Sequence, residues 1–216
     1  MQRQVESVTD APHPVDAANG LSVMARHLYD LGWMPGTSGN VSVRFDQDLV
    51  LITASGLGKG RLTAADTVLV RADTGEPVRP GAARPSAETS IHLALYRAFP
   101  AVGAVVHAHP PYATALASRT ARAGGALVRF SDLELIKGLG RSDVDSIDIP
   151  LFTNWRDVPR IAADVGDHFS HPVADPASAL LIAHHGATAW GADLAQASDR
   201  LECLEALCQL ALLVGD

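Results

Sequence analysis

Apolar and polar positions alternate with a short period in the first third of the chain and with helical spacing at intervals afterwards. Residues 16–31 repeat apolar side chains every three or four positions and predict an amphipathic helix, weakened by Gly20. Pro35-Gly36-Thr37-Ser38-Gly39-Asn40 reads as a turn-rich loop. Val41, Val43 and Phe45 then alternate with polar residues, the pattern of a half-buried strand, and Asp46-Gln47-Asp48 turns the chain into a second strand over 49–53. A glycine-rich loop, 54–60, leads to a third strand over 67–71. Ser86, just after Pro85, stands as the N-cap of a helical pattern that reaches about Phe99. Two apolar runs, Ala104-Val105-Val106 and 179–183, read as strands, and helices are expected from Pro111, over 156–165 and over 194–212. Leu201, Leu204, Leu207, Leu210 and Ala211 line one side of the last. This order predicts a mixed sheet flanked by helices. No repeat, low-complexity block or linker divides the chain, so residues 16–216 are expected as one domain behind a loose tail, 1–15.

Composition narrows the classes without changing that picture. The chain has 216 residues, enough to bury a core in one domain. A formal net charge of −7 argues against a nucleic-acid partner, which requires a basic surface. No apolar stretch approaches the roughly 18–20 residues of a membrane span, and the first twenty residues hold no apolar core of a secretory signal. Cys203 and Cys208, five apart on an expected helix, suit neither a disulfide nor a metal pair. A reducing cytoplasm is the expected location.

Chemistry enters at the strand ends. His107 and His109 flank one alanine, and residues two apart in a strand face the same side. The run 179–183 ends in His184-His185-Gly186. Two strands ending in histidines can close a three-histidine metal site with positions left open for substrate, the layout of a catalytic metal. His13, His27, His92, His168 and His171 lack such geometry and read as surface or packing residues.

Three small-residue loops precede these strands, at 36–40, 55–60 and 83–87. Glycine lets backbone N–H groups approach an anion, a helix N-terminus adds unpaired donors, and Lys59 offers a mobile positive charge. Two glutamates stand out. Glu88 falls in the first turn of the Ser86 helix, where it could equally be a dipole partner. Glu134, among apolar neighbours, is either an exposed residue on a short helix or a partly desolvated carboxylate suited to proton transfer.

Together these blocks resemble the class II aldolase family of metal-dependent sugar-phosphate aldolases and epimerases. The matching segments are Gly36-Thr37-Ser38-Gly39-Asn40-Val41-Ser42, Ile52-Thr53-Ala54-Ser55-Gly56, Arg84-Pro85-Ser86-Ala87-Glu88, His107-Ala108-His109-Pro110 and His185-Gly186-Ala187. They occur in the family's order and span nearly the whole chain. Within the family the chain is most similar to the branch that dehydrates methylthioribulose phosphate, through Glu134-Leu135-Ile136-Lys137-Gly138, Pro150-Leu151-Phe152-Thr153-Asn154, and Trp190-Gly191 after His185-Gly186.

The resemblance implies a three-layer α/β/α domain around a mostly antiparallel mixed sheet. It implies His107, His109 and His185 as ligands of one divalent ion, and Glu134 as the acid/base. It places the substrate's phosphate near Asn40, Ser55, Gly56 and Ser86, with Lys59 and Glu88 as possible additional site residues. Gly58 departs from the acidic residue often found in that loop of relatives. Zinc is the metal implied, although histidine ligation also suits iron, cobalt, nickel or manganese. Relatives form ring-like tetramers, so a homotetramer is expected.

The implied reaction is loss of water from 5-methylthioribulose 1-phosphate in methionine salvage. A sugar-phosphate aldolase or epimerase is the alternative within the fold. Those enzymes use tyrosines, including one near the C-terminus, and here Tyr29, Tyr96 and Tyr112 are the only ones. That absence favours chemistry at Glu134. A non-enzymatic adducin-like head domain is the alternative of another class, and the complete set of histidines speaks against it.

Overall fold

Inner strands with apolar side chains on both faces need helices on both sides. A computed structural model, which describes residues 14–171 and 176–215, has this three-layer arrangement. The strands are β1 (Asn40–Arg44), β2 (Leu49–Thr53), β3 (Thr67–Arg71), β4 (Ala104–Ala108), β5 (Leu127–Ser131), β6 (Ser146–Phe152), β7 (Ala179–Ile182) and β8 (Gly186–Gly191). The helices are α1 (Pro14–Asp30), α2 (Thr89–Ala98), α3 (Pro111–Arg122), α4 (Val158–Ser170) and α5 (Leu194–Val214). One sheet runs in the order β3-β2-β1-β4-β8-β7-β6-β5. Every neighbouring pair is antiparallel except β6 with β7.

Strand alternation sorts the core into two layers. Val41, Val43, Leu51, Val106, Leu181 and Ala189 join α1, α3 and α5 on one face. Val50, Ile52, Val105, Leu180, Ile182 and Trp190 join α2 and α4 on the other. A side chain's parity along its strand therefore decides which helices it meets.

Several expectations change. β1 is buried through Asn40, Val41, Ser42 and Val43 and is not half-buried; its polar positions face α2, not water. Phe45 lies beyond it. Ser86 does not cap α2, whose N-cap position is Glu88; the Ser86 carbonyl instead accepts from Thr89 N at 3.2 Å and Oγ1 at 2.6 Å. His185 does not end a strand but sits in the tight turn from β7 to β8. β5, β6 and β8 are strands that the pattern did not announce. The expected tail lies, up to His13, outside the described residues, and α1 already starts at Pro14.

Candidate metal centre

Register brings the site together in the middle of the sheet. Asn40 on β1 pairs with His107 on β4, and His107 pairs with Thr188 on β8. These three residues form one row, facing α2. The His107 ring is 1% exposed, and its Nδ1 lies 2.9 Å from the Thr188 hydroxyl. With Nδ1–H donating there, Nε2 keeps its lone pair for the site, the partner that orients a metal-ligating histidine.

His109 follows the end of β4, where its N–H donates to the Trp33 carbonyl at 2.8 Å. From the next turn, Glu205 on α5 accepts from Tyr112 N at 2.9 Å and Ala113 N at 2.7 Å. A buried carboxylate thus takes up free donors at the N-terminus of α3, just beyond His109. His185 is aimed inward by a turn in which exposed His184 adopts a left-handed backbone, φ 56°. Gly186 makes this approach possible: a Cβ there would collide with the Ala108 carbonyl and come within 2.9 Å of His109 Cδ2.

One ring nitrogen of each of His107, His109 and His185 lies within 4.8 Å of the other two. The Nε2 atoms of His107 and His109 are 3.2 Å apart. Tetrahedral ligands with bonds of 2.0–2.1 Å would stand about 3.4 Å from one another. Two neutral imidazole lone pairs repel at such a distance, so the arrangement fits a shared cation. Burial is the main cause pushing the His107 pKa down to about 3, against the raising effect of Glu88. His109 is lowered too, first by burial and then by His185. Neutral imidazole is the form that binds a metal.

Glu88 stands against the cluster. Its Oε2 is 3.3 Å from His107 Nε2, and its Oε1 is 2.9 Å from His185 Nε2. Asn40 Nδ2 donates to Oε2 at 2.5 Å. Burial alone would raise the Glu88 pKa. The His107 imidazole, the hydrogen bond and charge of His185 and the Asn40 amide outweigh it and hold the carboxyl well below its usual range. Three imidazole nitrogens beside one ionised carboxylate suit a divalent ion.

The three small-residue loops converge here. Lys59 N donates to the Gly36 carbonyl at 3.2 Å, and Ser55 N donates to the Arg84 carbonyl at 2.8 Å. Lys59 is not a mobile charge: it is 2% exposed, and Nζ donates to the Thr37 and Leu57 carbonyls at 2.8 and 3.1 Å. Burial lowers its pKa, with Glu88 opposing. Asn40 is buried, Ser55 and Ser86 are half-buried, and Gly56 is exposed. Ser86 Oγ accepts from Glu88 N at 3.3 Å, so it is tied to the carboxylate's own backbone.

Glu134 is not brought into this cluster by any of these contacts. It opens a short 3-10 helix, Glu134–Leu139, with its side chain 79% exposed and 2.8 Å from Lys137 Nζ. The partly desolvated carboxylate is thus replaced by an exposed, ion-paired one. His92, taken for surface or packing, is fully buried in a polar network. A signal for it was present: Glu88, His92 and Tyr96 recur every four residues, one stripe of a helix. His27, His168 and His171 are exposed as expected, and His13 lies outside the described residues.

Comparison with known proteins follows this geometry. Residues 19–212 match the family described as class II aldolase and adducin N-terminal domain. A protein of Nocardia farcinica, whose name pairs methylthioribose-1-phosphate isomerase with methylthioribulose-1-phosphate dehydratase, is 54% identical over 197 residues. The match covers 90% of this chain but 35% of that protein, so the chain spans about a third of this relative's length. The methylthioribulose-1-phosphate dehydratase of Sorangium cellulosum is 40% identical over 195 residues, 89% of each chain. Among solved structures, L-fuculose-1-phosphate aldolase from Thermus thermophilus superposes with a TM-score of 0.70 at 28% identity, covering 93% of this chain and 94% of that one. The chain belongs to the class II aldolase and adducin N-terminal domain family.

Proposed function

We propose that this chain is a metal-dependent hydro-lyase converting 5-methylthioribulose 1-phosphate to 2,3-diketo-5-methylthiopentyl 1-phosphate in methionine salvage. The observation that carries the reading is the convergence of three imidazoles on one point, beside the loops that can receive an anion. Relatives that match over most of their length and bear the dehydratase name support it.

His107, His109 and His185 would hold the ion, for which zinc is the best match to an all-imidazole set. When bound, it supplies Lewis-acid polarisation of the substrate's carbon 2 carbonyl. Asn40, Ser55, Gly56 and Ser86 bind the phosphate and place carbons 3 and 4 beside the histidines, with Lys59 bracing two of the loops. Glu134 removes the carbon 3 proton and returns it to the carbon 4 hydroxyl, which leaves as water; the enol then tautomerises to the diketone. Its exposure leaves the carboxylate accessible to a bound sugar.

Residues 16–216 act as one catalytic domain, in a cytoplasmic homotetramer. No helix among the described residues is long and apolar enough to cross a membrane. Incubation of zinc-loaded protein with the thioether sugar phosphate should yield the diketone; no diketone at full zinc occupancy would sink the proposal.

A second reading has one observation in its favour. Glu88, not Glu134, touches the histidines, and a carboxylate there suits aldol cleavage of a sugar phosphate. A panel of ketose 1-phosphates assayed for released aldehyde separates the two.

A further inference from the structure

β1 and α2 meet through a polar ladder that leads from the candidate metal centre. On β1, Asn40, Ser42 and Arg44 are two residues apart and share a face; on α2, Glu88, His92 and Tyr96 are four apart and share a stripe. Two strand residues advance about 6.7 Å and four helix residues about 6 Å, so the rungs stay in step. Asn40 Nδ2 meets Glu88 Oε2 at 2.5 Å. Ser42 Oγ lies 2.7 Å from His92 Nδ1 and 2.9 Å from Tyr96 Oη. Arg44 donates to the Tyr96 carbonyl at 2.7 Å, and its guanidinium lies 4.8 Å from the centre of the Tyr96 ring. Ser42, His92 and Tyr96 are buried.

The ladder has a direction. Burial raises the Tyr96 pKa, so the phenol keeps its proton and can donate it to the Ser42 hydroxyl. With Tyr96 donating to Ser42, the Ser42 hydroxyl is free to donate to His92 Nδ1, which would leave the His92 proton on Nε2. That Nε2 is buried and has no hydrogen-bond partner among the described residues. It lies across the ring from Ser42, one helical turn from Glu88.

We propose that His92 is a positioning residue: fixed by Ser42 and Tyr96, it sets the rotation of α2 and holds the Glu88 carboxylate between His107 and His185. The inference rests on Glu88 belonging to the working site, and it assigns His92 no contact with substrate.

The test uses His92→Phe and His92→Gln in the full-length, zinc-loaded protein. His92→Phe should lower kcat about ten- to a hundredfold, since a misplacement of about 1 Å transmitted from a residue outside the chemistry can cost ~10²-fold. KM should stay within about twofold and occupancy at saturating zinc should be unchanged, because the phosphate loops and the histidines are untouched. His92→Gln, whose amide oxygen can still accept from the Ser42 hydroxyl, should recover part of that loss. Normal kcat per bound zinc in His92→Phe overturns the proposal, as does a loss explained wholly by lower zinc content or melting temperature.

Two readouts do not depend on the substrate. ¹⁵N NMR of histidine-labelled protein should show His92 as the Nε2–H tautomer in wild type and not in Ser42→Ala. A crystal structure of His92→Phe should show Glu88 displaced from His107 and His185. Retention of both contacts overturns the ladder, whereas wild-type protein inert toward the thioether sugar counts against the proposed function alone.

Discussion

Glu88 and Glu134 are both carboxylates at the start of short helical segments, yet the fold treats them in opposite ways. Glu88 is fixed from three sides, by Asn40 on β1 and by the imidazoles of His107 and His185. Glu134 faces solvent with one flexible partner, Lys137, three residues on. A surface pair of this kind contributes about 0–1 kcal/mol, so little in this chain fixes the Glu134 side chain. The fold spends its register and burial on the residues that could hold a metal, and leaves the proposed proton carrier adjustable. Position is built in at one carboxylate; at the other it rests on a single surface ion pair.

The comparison breaks first at the histidines. Replacing His107, His109 or His185 with alanine should abolish dehydration and lower zinc content, measured by elemental analysis beside activity. Full occupancy in all three variants would remove the centre as drawn.

The two carboxylates themselves give the sharpest contrast. Glu134→Gln should keep its zinc and lose turnover at least about a hundredfold, the lower range of general acid–base assistance. Glu88→Gln should weaken zinc affinity about 10–100-fold, as expected for a neighbour that orients ligands. Titration with a competing chelator measures the second effect. If Glu134→Gln runs at a near-normal rate, the adjustable carboxylate is not the proton carrier.

Acid tests the buried side of the comparison without substrate. Burial lowers the His92 pKa from 6.5 to about 4 in the folded protein, with Glu88 opposing. Below pH 6.5 the unfolded chain therefore binds a proton that the folded one does not. Its contribution to stability is present above pH 6.5 and declines toward pH 4, by up to about 1.4 kcal/mol per unit. Urea melts of metal-free protein should show this decline, and His92→Phe should flatten it. Equal slopes in the two proteins would show that His92 does not carry it. Ser86→Ala should have the smallest effect: a severalfold rise in KM at nearly constant kcat. A fall in kcat with unchanged KM would take Ser86 out of the phosphate loops' work.

What the sequence made legible follows the same division. β2 and β3 stand where alternation placed them, because local pattern and tertiary surroundings agree there. The histidine pair was legible for the same reason: two residues on one side of a strand need only the strand. β8 was not, since Gly-Ala-Thr-Ala-Trp-Gly has weak strand propensity and becomes a strand by lying between β4 and β7. β5, an edge strand with Leu127, Arg129 and Ser131 exposed, offers only Val128 and Phe130 to the core. Gly138 illustrates a third kind of gap. A Cβ there would run into Cys203 on α5, a requirement visible only once the two segments are packed. Ser42 reads in the sequence as the solvent side of a strand, and the ladder shows that it faces a second buried layer.

The Glu205 carboxylate has a consequence in time. α5 emerges from the ribosome after every other described element, so β4 and the start of α3 must wait for it. Until α5 docks, the amides of Tyr112 and Ala113 have no acceptor from this source, and the turn that carries His109 is free to fray. A nascent chain would thus display its histidines early and gather them late, once the last helix has closed over the sheet.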